Sequence, residues 1–250
     1  MESVICIPFN NEALNHAGQH LVRSGITAAP LPGDDVTHLL LPVPSFDALG
    51  KIRGGGSIEG LLRLLPRQIC VIGGNLDHPA LQGYPTMDLL QAPDYVAQNA
   101  SITAHCALKY IMNALPITLA HQPILVIGWG RIGKCLARLL RGLDARVSIY
   151  ARKESDRGMI TALGYDAVAP ETELSAYRVI INTAPAQVLT EEQLSRCKPD
   201  CLKLELASSQ GLLGSDVILA RGLPGKDAPE SSGKLIAQSI LRLLNKENVP

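Results

Sequence analysis

The fold is decided by the stretch Ile124-Leu-Val-Ile-Gly128-Trp-Gly130-Arg-Ile-Gly133-Lys-Cys-Leu-Ala-Arg-Leu-Leu140. An apolar strand leads into three glycines spaced Gly-x-Gly-x-x-Gly, and an amphipathic helix follows them. Gly128 permits the tight turn, Gly130 lets the backbone approach a pyrophosphate, and Gly133 lets the helix pack closely on the strand. The free N–H groups at the start of the helix can bind the phosphate charge. The stretch predicts dinucleotide binding, and the alternative is a glycine-rich turn that binds nothing.

The next strand of the same layer, 145–151, indicates which dinucleotide binds. NAD-binding domains usually carry an acidic residue near this strand end, about 20 residues past the glycines, to accept the ribose 2′-OH. Here that place holds Arg152 and Lys153, with Ser155 just beyond them. Two cations attract a 2′-phosphate, and arginine can bind it with two hydrogen bonds. The pair therefore predicts NADP, and the alternative is a solvated surface pair.

Composition limits the class of protein. Apolar residues make up 46% of the 250 residues and charged residues 18%, which is typical of a globular protein, and the net charge is zero. No nucleic acid or membrane partner is therefore expected. The six cysteines form no Cys-x-x-Cys pair, which favours reduced thiols in a cytoplasmic protein, and we expect no metal site. No signal peptide and no run long enough to span a membrane is recognised.

Alternating patterns divide the chain into two α/β layers. Apolar runs at 4–8, 37–43 and 68–73 alternate with helical stretches and predict a small N-terminal layer. The fold class is therefore α/β: a Rossmann-type doubly wound parallel sheet plus a smaller, shortened flavodoxin-like domain, with the C-terminal helix packing back. The predicted boundaries are an N-terminal domain (1–98), a linking helix (99–120), an NADP-binding domain (121–230) and a C-terminal helix (231–250).

Two further strands end in small polar residues. The strand 177–182 ends at Asn182-Thr183-Ala-Pro185, and the strand 202–208 ends at Ala207-Ser208. Ligands bind outside the carboxyl ends of strands in open α/β sheets, so these ends are candidates to line the cofactor. A simple strand-ending turn is the alternative for Asn182 and Thr183. A loop is predicted over 222–229, after which Ser231 would cap the last helix.

The full set of predicted cofactor-binding residues follows from these strand ends and the glycine loop. It comprises Gly128, Trp129, Gly130, Arg131, Ile132, Gly133, Ala151, Arg152, Lys153, Ser155, Asn182, Thr183, Ala184, Pro185, Ala207 and Ser208.

Several stretches together resemble the family of dipicolinate synthase A subunits, NADP-linked proteins of spore-forming bacteria. The resemblance extends from about Leu39 to Leu244 and is weak before that. The stretches that carry it are Leu41-Pro-Val43, Asp94-Tyr-Val-Ala-Gln-Asn99, Thr103-Ala104, Gly128-Trp-Gly-Arg-Ile-Gly133, Tyr150-Ala-Arg-Lys153, Ile181-Asn-Thr-Ala-Pro185, Glu205-Leu-Ala-Ser208, Gly222-Leu-Pro-Gly225 and Ala228-Pro229.

The resemblance implies a reaction and partners. The reaction would be oxidation of a dihydrodipicolinate-type ring to the aromatic pyridine dicarboxylate during sporulation, with NADP⁺ accepting the hydride. The implied partners are a small dicarboxylate substrate and a flavoprotein-like B subunit, and we expect a homo-oligomer. One place departs from the family pattern, where His105-Cys106 replace an acidic residue and a glycine. That replacement can alter or remove the family chemistry, or it can be neutral.

Candidate catalytic residues lie on the predicted linking helix. His105 could exchange the proton of the reaction, and the alternative is a structural histidine. Asn99, Ser101 and Thr103 are expected at the N-terminal turn of that helix, where N–H groups could hold a carboxylate and where capping is the alternative. His105, Asn99 and Thr103 are therefore the catalytic candidates, and Ser101, Lys226, Ser231 and Ser232 are the candidates for substrate binding.

Two other functions remain open. One is a 2-hydroxyacid dehydrogenase-like oxidoreductase, although the sequence offers no clear arginine with a histidine–acid pair for it. The other is a non-catalytic NADP-binding or regulatory subunit, which the His105-Cys106 departure favours.

Overall fold

The structure, a computed structural model, describes residues 3–169 and 172–247. The chain divides into two compact units. One unit combines the chain through Asn99 with the chain from Pro224 onward, and the other runs from Ala100 to Leu223. Residues 1–2, 170–171 and 248–250 of the predicted segments 1–98, 121–230 and 231–250 lie outside the described residues.

The first unit contains a five-stranded parallel sheet. The elements of this part of the chain are β1 (Val4–Cys6), α1 (Glu12–Arg23), β2 (Thr27–Ala29), β3 (His38–Leu40), α2 (Ile58–Leu62), β4 (Cys70–Gly73), β5 (Thr86–Asp88) and α3 (Pro93–Ala114). The strand order is β2-β1-β3-β4-β5, which is the flavodoxin-like order. The predicted flavodoxin-like layer is therefore confirmed.

The second unit contains a six-stranded parallel sheet. The remaining elements are β6 (Pro123–Ile127), α4 (Arg131–Arg141), β7 (Arg146–Tyr150), α5 (Glu154–Ala162), β8 (Asp166–Val168), β9 (Val179–Asn182), α6 (Glu191–Leu194), β10 (Leu202–Glu205), β11 (Ile218–Leu219), α7 (Leu223–Asp227) and α8 (Pro229–Glu247). The order β11-β10-β9-β6-β7-β8 corresponds to the Rossmann order 6-5-4-1-2-3 within this unit. The predicted Rossmann-type sheet is therefore confirmed.

The central strands of both sheets are buried on both faces. Ile124, Leu125, Val126 and Ile127 of β6 are at most 1% exposed, and β9 is buried throughout. Helices cover parallel sheets on both faces, so central strands of such sheets are continuous apolar runs. This explains why the sequence pattern identified β6 and β9.

The C-terminal helix α8 packs back onto α1 within the first unit. Gly233 of α8 makes this close approach possible, because an added Cβ there would collide with the backbone of Ala13 and Ala17 and with the side chain of His16. The expected return of the C-terminal helix is therefore observed.

Two predictions at this end of the chain were wrong. The predicted loop 222–229 contains the helix α7. The residue before this helix, Gly222, has a left-handed backbone conformation with φ 69°. Ser231 does not cap α8, because that helix begins at Pro229, a residue whose fixed φ suits the first helical position.

Within the described residues, no helix is both long and apolar enough to cross a membrane.

Candidate functional site

The glycine loop lies where the strand order of the second sheet reverses. The chain leaves β6 at Gly128, and the neighbouring strand β9 ends at Asn182, which pairs with Ile127. From β6 the chain continues to β7 on one side, while β9 and β10 lie on the other. This switch point is the place where open α/β sheets bind ligands.

The three glycines have different structural roles. Gly128 has φ 101°, and an added Cβ would lie 2.7 Å from Thr183 Oγ1. An added Cβ at Gly133 would collide with the carbonyl oxygen of Gly128, so Gly133 brings α4 against the end of β6. At Gly130 an added Cβ would meet no atom within 4 Å. Gly128 and Gly133 therefore serve packing, whereas Gly130 faces open space.

The start of α4 is suited to bind an anion. Gly130 is its N-cap residue and supplies no side-chain hydrogen bond. The first N–H groups of a helix lack intrahelical acceptors and carry a partial positive charge. The predicted residues Arg131 and Ile132 begin this helix, and Arg131 is exposed. These features fit the pyrophosphate of a dinucleotide.

Trp129, inside the glycine loop, has an unpaired polar atom. The residue is 8% exposed, and its Nε1 is buried without a hydrogen-bond acceptor in the described structure. Its ring meets the Tyr165 ring edge-on at 5.8 Å, and Lys134 Nζ lies 5.6 Å from its centroid. Burying an indole N–H without an acceptor is unfavourable, and a bound acceptor would remove that cost.

Thr183 connects β9 to the glycine loop. Its hydroxyl donates to the carbonyl oxygen of Ile127 at 2.9 Å and lies 3.3 Å from that of Gly128. Its backbone N–H donates to the Ile127 carbonyl at 2.8 Å. Thr183 is half-buried, and it holds the ends of the two strands at the switch point together.

Asn182 is turned into the protein. It is 0% exposed. Its Nδ2 donates to the Glu205 carboxylate at 2.9 and 3.1 Å and to the Ala184 carbonyl at 3.0 Å, while its Oδ1 accepts from the Ala184 N–H. The predicted role of its side chain in lining the cofactor is therefore revised, since the side chain supports the strand end from within.

Glu205, at the end of β10, forms the other half of this buried network. The residue is 0% exposed, and its oxygens accept hydrogen bonds from the N–H groups of Ala207, Gly211 and Leu212 at 2.7–3.0 Å. In the sequence, Glu205 stands out only as part of a family motif. Its position could have indicated a structural role, because Glu205 is an acidic residue at the end of a strand that is otherwise suited to burial.

The end of β7 presents the two predicted cations. Ala151 is buried, whereas Arg152, Lys153 and Ser155 are exposed at the start of α5. Within the described part of the chain, no hydrogen bond or ion pair involves the side chain of Arg152 or Lys153. Arg157, which the sequence motifs did not indicate, donates from Nη1 to the carbonyl oxygens of Ala151 (3.3 Å) and Arg152 (2.7 Å). It thereby fixes the backbone that carries Arg152.

The helix α3 begins at Pro93, six residues before the predicted start. The expectation that Asn99, Ser101 and Thr103 form its N-terminal turn is therefore wrong, because a helix has unpaired N–H groups only in its first turn. Thr103 is buried, and Asn99 and Ser101 are half-buried. The early start has a physical cause in Pro93 at the first helical position, followed by Asp94.

His105 is exposed on α3, and its tautomer is defined. Its Nδ1 lies 2.8 Å from the carbonyl oxygen of Ser101. A carbonyl can only accept, so Nδ1 carries the hydrogen and Nε2 of the neutral ring is the basic nitrogen. His105 can therefore accept a proton at Nε2.

Among the three predicted substrate residues of the first unit, exposure differs. Lys226 lies in the last turn of α7, and Ser231 and Ser232 lie in the first turns of α8. Lys226 and Ser231 are exposed, whereas Ser232 is buried at 6% exposure. Of the other predicted cofactor residues, Ala184 is half-buried, Ala207 is buried, and Pro185 and Ser208 are exposed.

Burial makes two of the cysteines poor nucleophiles. Burial raises the pKa of Cys6 to about 11 and that of Cys201 to about 12, and buried thiols of high pKa are unreactive. Among the described residues, no three His, Cys, Asp or Glu side chains lie close enough together to hold a metal ion.

The fold and the loop are those of a Rossmann-type domain suited to bind a dinucleotide. Residues 94–205 match the model of the D-isomer specific 2-hydroxyacid dehydrogenase NAD-binding domain. This match supports a nicotinamide dinucleotide as the cofactor and agrees with the geometry of the glycine loop.

The chain is similar over most of its length to A subunits of dipicolinate synthase. The chain is 27% identical to the dipicolinate synthase A subunit of Bacillus subtilis (strain 168) in an alignment that is 256 residues long. The alignment covers 93% of this chain and 85% of the relative. The structure of the dipicolinate synthase A subunit from Bacillus halodurans matches with a TM-score of 0.84 at 22% identity, covering 98% of both chains. D-lactate dehydrogenase from Escherichia coli matches with a TM-score of 0.64 at 15% identity, covering 98% of this chain and 97% of that one. The resemblance to the family of dipicolinate synthase A subunits is confirmed.

Proposed function

We propose that the protein is an NADP-dependent oxidoreductase that converts dihydrodipicolinate to dipicolinate. The observation that carries this proposal is the pairing of the glycine loop with Arg152 and Lys153 at the end of the adjacent strand β7. The similarity to a curated dipicolinate synthase A subunit supports the choice of substrate.

The preference for NADP over NAD rests on charge at the end of β7. Arg152 and Lys153 are exposed at the N-terminus of α5, where the helix dipole also favours an anion. Glu154 and Asp156 in the first turn of α5 act in the opposite direction. Arginine can form two hydrogen bonds with a phosphate, and the carbonyl oxygen of Arg152 is held by Arg157. We therefore assign the 2′-phosphate to Arg152, with Lys153 as a second cation.

When bound, NADP⁺ supplies the acceptor for the hydride that leaves the substrate ring. The protein has to bind the cofactor, orient the substrate and accept one proton. We assign proton transfer to His105 Nε2, because its Nδ1 is already committed to Ser101. General acid–base catalysis by a histidine typically contributes about 10²–10⁴-fold in rate.

The remaining candidates would bind the substrate. A dicarboxylate requires cationic or hydroxyl donors, and Lys226, Ser231 and Ser101 can provide them. Asn99, Thr103 and Ser232 are more enclosed and remain candidates for orienting this set. We further propose a cytoplasmic protein that forms a homo-oligomer and works with a flavoprotein-like B subunit during sporulation.

Specific observations favour two other functions. His105-Cys106, which depart from the family pattern, favour a non-catalytic NADP-binding role. The match to the 2-hydroxyacid dehydrogenase NAD-binding domain favours reduction of a 2-keto acid instead.

One experiment separates the three functions. The protein is titrated with NADP⁺ and NAD⁺ by calorimetry and then incubated with NADP⁺ and dihydrodipicolinate while NADPH absorbance and pyridine dicarboxylate are measured. A parallel sample receives NADPH and pyruvate, and the loss of NADPH absorbance is measured. The proposal expects tighter binding of NADP⁺ and formation of both products in equal amounts. Binding without turnover, with or without a B subunit, would select the non-catalytic role, and NADPH consumption with pyruvate would select the 2-keto acid reductase.

A further inference from the structure

A cavity lies at the end of the Rossmann sheet that is opposite to the glycine loop. Its volume is about 570 Å³, within the range of small-molecule sites. Pro123, Arg146 and Asp166, the first residues of three neighbouring strands, contribute to its lining. The cavity therefore opens at the amino ends of β6, β7 and β8, whereas the glycine loop follows the carboxyl end of β6.

Two arginines on the wall of this cavity are oriented by the backbone. Arg141, at the end of α4, donates from Nη1 to the Leu163 carbonyl at 2.7 Å, and its guanidinium lies 4.2 Å from the Tyr165 ring centroid. Arg146 donates from Nε to the His121 carbonyl at 2.9 Å. A guanidinium has five N–H donors. Each arginine is thus held in place by one bond and keeps donors for a ligand.

The other titratable side chains of the cavity leave it with a positive balance. Asp166 is the acidic residue among those that line it, and its carboxylate accepts a hydrogen bond from Ser148 Oγ at 2.9 Å. The phenol side chains of Tyr165 and Tyr177 provide aromatic walls, and Tyr177 is buried at 7% exposure. Two guanidinium groups and one carboxylate therefore belong to the lining, and this balance of charge favours an anion.

We propose that this cavity is a second ligand site, which binds a small organic anion through carboxylate or phosphate oxygens. Arg141 and Arg146 donate charge-assisted hydrogen bonds to the anion, and Tyr165 and Tyr177 contact its apolar part. A hydrogen bond to a backbone carbonyl uses one donor of each arginine, and this structural role explains why each arginine is held in place. It does not explain why both arginines line one cavity of ligand size.

Two ring contacts connect the cavity to the glycine loop. Tyr165, which Arg141 covers, meets the Trp129 ring edge-on at 5.8 Å. Trp129 belongs to the glycine loop and is the single tryptophan of the chain. An anion that draws the Arg141 guanidinium toward itself changes the surroundings of Tyr165 and, through it, those of Trp129.

The test is calorimetric titration of the full-length protein with two probes, malonate and inorganic phosphate, at constant ionic strength. We expect saturable binding of at least one probe with one site, and the tighter probe identifies the carboxylate or the phosphate class. R141Q and R146Q should each weaken it by about tenfold, the loss of one charge-assisted hydrogen bond. D166N should tighten it, because a like charge is removed. R138Q, which changes an exposed arginine one turn earlier on α4, should leave it unchanged.

Two results would overturn the proposal. One is an affinity that is the same in R141Q, R146Q and the unaltered protein, which would place the anion elsewhere, for example at the glycine loop. The other is the absence of binding of both probes to the unaltered protein and to D166N, measured on samples whose circular dichroism and thermal unfolding show an intact fold.

Discussion

At the scale of single residues, a buried pair shapes the cofactor edge of the second sheet. Asn182 and Glu205 are both 0% exposed and bond to each other. A buried carboxylate is unfavourable unless its oxygens accept hydrogen bonds. Glu205 receives them from Asn182 and from three backbone N–H groups that follow β10. The pair thereby fixes the loops after β9 and β10, and it does so without reaching solvent.

Arg152 tests the assignment of the 2′-phosphate. Arg152→Ala should weaken NADP⁺ by about 1–3 kcal/mol, a magnitude appropriate to a hydrogen bond between charged groups, and should barely affect NAD⁺. Calorimetry with both cofactors measures this. The control is Arg138→Ala, an exposed arginine of α4, which should change neither affinity. An equal loss for both cofactors in Arg152→Ala would argue against the assignment.

His105 tests proton transfer. His105→Gln keeps a polar side chain on an exposed position of α3 but removes the basic Nε2, so turnover should fall by about 10²–10⁴-fold while NADP⁺ affinity stays nearly unchanged. Steady-state kinetics and calorimetry measure the two quantities. Lys109→Ala, one turn further along the same helix and also exposed, is the matched control. Unaltered turnover in His105→Gln would remove this residue from the mechanism.

At the scale of elements, the turn from β6 into α4 separates two kinds of glycine. Gly133 is required by the fold, because a Cβ there collides with the carbonyl oxygen of Gly128. Gly130 is not required by the fold, because a Cβ there meets open space. The motif spacing predicted both glycines, but only the structure distinguishes the contacts within the protein from the surface left for the ligand.

Replacing these two glycines by alanine should have opposite consequences. Gly133→Ala should lower the free energy of unfolding by roughly 1–3 kcal/mol, the usual cost of overpacking. Gly130→Ala should leave stability within about 0.5 kcal/mol but weaken NADP⁺, since the methyl group occupies the space for the pyrophosphate. Urea unfolding and cofactor titration of both variants measure this. Unchanged NADP⁺ affinity in Gly130→Ala would show that the phosphate does not approach this residue.

The elements that the sequence pattern predicts differ in burial from those that it misses. The central strands β1, β3, β4, β6, β9 and β10 are predicted from their apolar runs, and β7 is predicted from its place in the layer. The missed strands β2, β5 and β8 each have three residues and lie at sheet edges. An edge strand is covered less completely, so it lacks a continuous apolar run.

The missed helix α6 had a usable signal in its capping box, Thr190 with Gln193.

At the same scale, the site was only partly predictable. The glycine loop and the Arg152-Lys153 pair follow from motifs whose spacing has a mechanical reason. Arg157 and the inward turn of Asn182 depend on tertiary contacts that no local pattern encodes. The apolar periodicity from Asn99 onward predicts too late a start for α3, because Pro93 and Asp94 form a better helix start.

At the scale of the whole molecule, the two sheets have the two common doubly wound orders, 2-1-3-4-5 and 3-2-1-4-5-6. The chain enters the first unit, builds the second and returns to the first with α8. Contacts between α8 and α1 therefore join segments more than 200 residues apart along the chain. Such non-local contacts form only after a long loop is closed, so the first unit depends on the last helix for its completion.

Gly233 tests that dependence, because it lies where α8 meets the backbone of α1. Gly233→Ala should lower the free energy of unfolding by roughly 1–3 kcal/mol through overpacking, although alanine is the better helix former. Gly158→Ala is the matched control, since Gly158 lies within α5 and an added Cβ meets no atom within 4 Å. That change should raise stability by up to about 1 kcal/mol, the difference in helix propensity. Urea unfolding of both variants measures the two effects. If both variants were stabilised equally, the α1–α8 contact would not constrain the fold, whereas opposite signs would show that the end of the chain is packed tightly against its beginning.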